Sequence, residues 1–63
     1  MSNYIVITYN SKDTNYTKPL HIKNFHYCSK EEVMEYILKL QNQKDVNYEI
    51  YKEVYLEVVE EIS

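Results

Sequence analysis

Residues 47–59, Asn-Tyr-Glu-Ile-Tyr-Lys-Glu-Val-Tyr-Leu-Glu-Val-Val, admit two readings, and the fold follows from the choice. Read as a strand, Tyr48, Ile50, Val54, Leu56 and Val58 share one face. Glu49, Tyr51, Glu53, Tyr55 and Glu57 share the other. Only Lys52 interrupts this alternation, which is the period of a half-buried strand. Read as a helix, Tyr51, Val54, Tyr55, Val58 and Ile62 form a stripe, but Glu49, Glu53 and Glu57 then repel at i,i+4 spacing. Many of these residues are also β-branched or aromatic, which lose side-chain freedom in a helix. The strand is the favoured reading.

The rest of the chain supplies elements to pair with it. Residues 4–9, Tyr-Ile-Val-Ile-Thr-Tyr, are all β-branched or aromatic and read as a strand. Ile5, Ile7 and Tyr9 lie on one side and Tyr4, Val6 and Thr8 on the other, so neither side is plainly polar, which suits a central strand. Residues 10–17 are turn-forming throughout and predict a flexible hairpin loop. Lys18 to about Lys23 is the return strand, with Leu20 and Ile22 toward the core and Pro19 marking an edge. Phe25 and Tyr27 have the opposite parity, which predicts a bulge near Lys23-Asn24.

Ser29-Lys30-Glu31-Glu32 matches a capping box, with Cys28 and Val33 placed as a hydrophobic staple. A helix is expected over about 30–42, presenting Val33, Tyr36, Ile37 and Leu40, widened by Met34 and Leu38. The expected fold is a single α+β domain, β-β-α-β, with a three-stranded antiparallel or mixed sheet and one helix on one face. The helical reading of the last segment would make it β-β-α-α.

Composition narrows the chemistry. The chain has 63 residues, a size that leaves a marginal core and no room for a two-lobed enzyme. Gly is absent, so neither a dinucleotide fingerprint nor a phosphate-binding P-loop can form, and Asn is expected wherever the backbone needs positive φ. Arg is absent and the net charge is −3, which disfavours nucleic-acid binding. The abundance of Asn, Lys, Ile and Tyr points to an AT-rich genome. The lone cysteine and the lack of a signal-like N-terminus or long apolar run predict a cytoplasmic protein.

No constellation specifies catalysis. His21, His26 and Cys28 offer three ligands where a closed zinc site needs four. Cys28 beside His26 is better read as a staple than as a nucleophile, and Glu31, Glu32 and Glu35 as acids suited to a helix start. No enzyme activity, metal or cofactor is therefore expected.

One helix covers one face of a small sheet, so the other face is the place for a partner. In the strand reading that face carries Glu49, Tyr51, Glu53, Tyr55 and Glu57, an aromatic and acidic surface. Taken together, the strand YIVITY, the capped helix SKEEVMEYILKL and the segment NYEIYKEVYLEV give a chain that resembles, in general character, the small anti-CRISPR and anti-defence inhibitors of phages. The resemblance implies a host protein as partner, such as a CRISPR nuclease, whose nucleic-acid groove or assembly is blocked. Tyr51, Glu53, Tyr55, Glu57 and Glu49 would then be the contacts, the acids meeting lysines and arginines while tyrosines anchor. Partial phosphate mimicry is also expected, with carboxylates every ~6.6 Å along the strand. Two alternatives remain. One is a homodimer that uses the open face or an edge strand to complete its core. The other is a weak single-strand binder using Lys12, Lys18, Lys23 and Lys30 with Tyr16, Phe25 and Tyr27.

Overall fold

The computed structural model describes residues 1–54 and residue 59. Four elements follow in order: β1 (Ser2–Asn10), β2 (Pro19–Cys28), α1 (Lys30–Gln43) and β3 (Val46–Lys52). The strands form one antiparallel sheet in the order β2-β1-β3. The α+β, β-β-α-β arrangement read from the sequence is the fold. β1 is central and Pro19 opens an edge strand, as expected. The segment around residue 50 is a strand over Val46–Lys52, while positions 55–58 of the longer strand reading, including Tyr55 and Glu57, lie outside the described residues.

The helix starts where its cap chemistry sets it. Ser29 has extended backbone (φ −84°, ψ 158°), and its Oγ accepts the Glu32 N–H at 3.3 Å. Cys28 and Val33, the staple pair, are both buried. The helix carries the chain over β1, so that β3 can join on the far side from β2. Without glycine, α1 ends in an extended Lys44, whose N–H reaches the Leu40 carbonyl at 2.9 Å. Lys39 forms an i,i+4 ion pair with Glu35 at 3.5 Å.

The core lies between α1 and the sheet. Val6, Cys28, Val33 and Ile37 are its buried centre, with Tyr4, Phe25, Met34, Tyr36, Tyr48 and Ile50 packed around them. Phe25 and Tyr36 meet edge to face at 5.3 Å. Thr8 is buried, and its hydroxyl donates to the His21 carbonyl at 3.3 Å. Leu38, expected to widen the helix stripe, is exposed.

Three sequence expectations are corrected. Leu20 and Ile22 are not core residues; both are more than half exposed (60% and 53%), and Leu20 lines an open groove with Tyr36 and Leu40 on the helix side. Ile22 pairs with Ile7, on the side away from the helix. Lys23 and Asn24 are in regular register, and the irregularities fall elsewhere. One lies where the partner of Thr8 is His21 and that of Tyr9 is Pro19; the other lies between Phe25 and Cys28. The parity change therefore occurs at both ends of β2 rather than in its middle. Among the described residues, positive φ falls on Tyr16 (54°) and Tyr27 (52°), not on asparagine. Tyr27 is held there by Asn3, whose Oδ1 accepts the Tyr27 N–H at 2.8 Å.

The β1–β2 loop is organised around Asp13. Its carboxylate accepts the N–H of Lys18 at 2.9 Å and that of Thr17 at 3.1 Å. These bonds hold Asp13 below its ordinary pKa, with the Lys18 N–H the largest cause. The loop expected to be flexible thus has its own hydrogen-bonded frame.

Candidate functional site

The face away from α1 is assembled by cross-strand register. Ile7 pairs with Ile22 on one side and Glu49 on the other; Ile5 pairs with Asn24 and Tyr51. Tyr9 pairs with Asn47. Sequence parity left open whether β1 contributes Tyr4 and Val6 or Ile5 and Ile7; the structure selects Ile5 and Ile7. Ile5 is 40% and Tyr51 50% exposed.

Glu49 is the centre of this face. Its Oε1 accepts the Tyr9 hydroxyl at 2.5 Å, and its Oε2 accepts the Tyr51 hydroxyl at 2.7 Å. Two phenol donors stabilise the ionised carboxylate, so the Glu49 pKa lies below its ordinary value, Tyr9 being the larger cause. The same bonds favour the neutral phenols. The Glu49 hydrogen bond, then desolvation, pushes Tyr9 up to about 12. Tyr51 is also raised, again chiefly by Glu49. At neutral pH the cluster is one carboxylate clasped by two neutral tyrosines.

Tyr9 is held by more than Glu49. Tyr16 stacks on it at 4.6 Å with rings 14° apart. Asn47 ties β3 to the loop, its Nδ2 donating to the Ser11 carbonyl at 3.3 Å and the Asp13 carbonyl at 3.5 Å. Glu53 lies beyond the strand and is fastened to β1: its N–H donates to the Asn3 carbonyl at 2.9 Å, and its Oε2 accepts Asn3 Nδ2 at 2.8 Å. A shallow groove beside it is lined by Asn3, Ile5, Asn24, Tyr51 and Glu53.

The structure therefore brings together Glu49 and Tyr51 on the open face, with Glu53 at its rim. Tyr16, Asn3 and Ile5 belong to the same surface, and Tyr9 lies buried beneath Tyr16. Tyr9 shares the parity of Ile5 and Ile7, which was visible in the sequence, but its pairing with Glu49 depends on register between strands forty residues apart. Regular phosphate mimicry is not what this surface offers. Glu49 and Glu53 are four residues apart with Tyr51 between them, ~13 Å at strand rise.

The residues of the other chemical readings lie elsewhere. Cys28 is buried in the core, and His21 and His26 are exposed. Phe25 packs on Tyr36, with Lys23 Nζ 5.9 Å above its ring, and so is engaged within the domain. No helix among the described residues is long and apolar enough to cross a membrane. Comparison with protein-family models, with curated proteins and with solved structures finds no match to the chain.

Proposed function

We propose that this chain is a small cytoplasmic, non-catalytic inhibitor of phage or mobile-element origin that binds a host protein through its open sheet face. The observation that carries the reading is the pairing of half-exposed Tyr51 with ionised Glu49 on a face that no described element covers. Exposed Ile5 and Ile22 supply apolar area beside them. Tyrosine gives large contact area at low entropic cost, and a carboxylate already fixed by two donors keeps lone pairs for a partner's lysine or arginine. A surface of this kind complements the basic groove of a nucleic-acid enzyme, and a CRISPR nuclease is the target class in keeping with the chain's general character.

The test is inhibition of purified nucleases. The chain is titrated into cleavage reactions of RNA-guided nucleases from low-GC bacteria, beside Tyr51→Ala and Glu53→Lys variants whose folding is checked by circular dichroism. Inhibition by the parent that both folded variants lose is the expected result. Undiminished inhibition by the folded variants removes this face from the mechanism, and no inhibition of any nuclease removes that target class.

A further inference from the structure

The two edges of the sheet are built differently. The β2 edge is blunted: it opens with Pro19, carries Lys23, and its pairing is irregular at both ends, near Leu20 and near Tyr27. Proline, lysine and bulges are the devices by which sheets guard an edge against further pairing. The β3 edge has no such guard apart from Lys52. Its pairing with β1 runs through seven consecutive residue pairs, from Tyr4–Lys52 to Asn10–Val46, without a register shift. Among the described residues, no strand lies on its outer side.

The direction of its backbone groups is settled by one bond. The Glu53 N–H points to β1, where it donates to the Asn3 carbonyl. Backbone groups alternate sides along an antiparallel strand, so those of Asn47, Glu49 and Tyr51 also face β1. Those of Val46, Tyr48, Ile50 and Lys52 face outward.

We infer that β3 is a homodimerisation edge, pairing antiparallel with the β3 of a second copy about a two-fold axis at Ile50. The charges select the register. With Ile50 opposite the second copy's Ile50, Glu49 stands opposite the second copy's Tyr51, and Tyr48 opposite its Lys52. No like charges then face each other. A slip of two residues one way sets Glu49 against the second copy's Glu49; the other way sets it against the second copy's Glu53. A slip of one residue sets the helix-facing side against the open side and is excluded by the pleat. In the selected register Ile50 exchanges backbone hydrogen bonds with the second copy's Ile50, and Tyr48 with its Lys52, through the groups that point outward. Ile50 and Tyr48, half-buried at the margin of the core, gain apolar neighbours on the helix side. The result is a continuous six-stranded sheet with both helices on one face, and the open face, with its Glu49 and Tyr51, runs across the junction. The inference does not rest on the inhibitor reading.

The test is the mass of the full chain in solution and the register of the pairing. Light scattering across a wide concentration range should give twice the chain mass of 7.7 kDa. Lys52→Pro removes an outward N–H and no bond to β1, so the variant should keep its circular dichroism and lose the dimer. Under mild oxidation Ile50→Cys should link to itself, because its Cα lies ~5.5 Å from that of the second copy, within disulfide range. Tyr48→Cys, opposite Lys52, should not link. A parent that stays monomeric throughout, a dimer untouched by Lys52→Pro, or linkage at Tyr48→Cys but not at Ile50→Cys would each overturn the inference.

Discussion

Tyr9 and Glu49, forty residues apart in sequence, are joined by a 2.5 Å hydrogen bond from the Tyr9 hydroxyl to Glu49 Oε1, across the junction of β1 and β3. The bond couples the strand register to the ionisation of both groups. Tyr9 is raised to about 12 principally by this contact. Replacing Glu49 with Gln keeps the shape and removes the charge, so Tyr9 should titrate closer to its ordinary value of 10.0. NMR titration of the Tyr9 ring carbons in parent and Glu49→Gln reads this directly. An unmoved Tyr9 would mean that burial, not Glu49, sets its ionisation.

The same cluster gives stability a defined pH window. Tyr9 is raised on folding, so its contribution is complete below its ordinary value of 10.0 and is lost as pH climbs from there to about 12. Glu49 is lowered on folding, so its contribution is present above its ordinary value of 4.5 and is lost as pH falls through its depressed folded value. Asp13 acts in the same sense from 3.8. Urea midpoints measured from acid to alkali should therefore form a plateau with both shoulders, and Glu49→Gln should flatten the alkaline one. An alkaline shoulder unchanged in that variant would contradict the assignment.

Tyr27 and Tyr16 both have positive φ but should respond oppositely to asparagine, which tolerates that conformation better than tyrosine. Tyr27 is 77% exposed and held by its backbone N–H, so Tyr27→Asn should raise stability by up to ~1 kcal/mol. Tyr16 stacks on Tyr9, so Tyr16→Asn sacrifices that contact and should lower stability. Thermal unfolding of the two variants side by side decides it; a shared sign would show that backbone strain, or the ring, dominates at both positions.

Ile37 is 1% exposed at the centre of the core. Ile37→Ala should cost about 2–4 kcal/mol, a large share of the stability of so small a domain. Leu38→Ala, one residue on but exposed, should cost far less. Comparable losses in denaturant unfolding would place the helix in a different rotation.

Ser29→Ala should cost about 1 kcal/mol by freeing the Glu32 N–H at the helix start, and Ser29→Asp should recover most of it. Equal stability for the alanine and aspartate variants would show that the Cys28–Val33 contact alone sets the start of α1.

The sequence by itself determined the order and type of the elements, because each was written in local chemistry. Ser29 and Glu32 mark the helix start, Pro19 the edge strand, and the β-branched run from Tyr4 to Tyr9 the central strand. Glu49 and Tyr51 share a face because side chains alternate along any strand. Only the tertiary structure decided what depends on register between strands. It turned Ile5, Ile7 and Ile22 outward, moved the irregularities of β2 to its ends, and closed Tyr9 and Tyr51 on Glu49. The positive φ of Tyr16 and Tyr27 belongs to the same class, since a stack on Tyr9 and a hydrogen bond to Asn3 outweigh the local preference for asparagine. Local periodicity specifies which residues share a face; the free energy of packing Val33 and Ile37 of α1 over Val6 of β1 selects which face is buried, and with it which is left open.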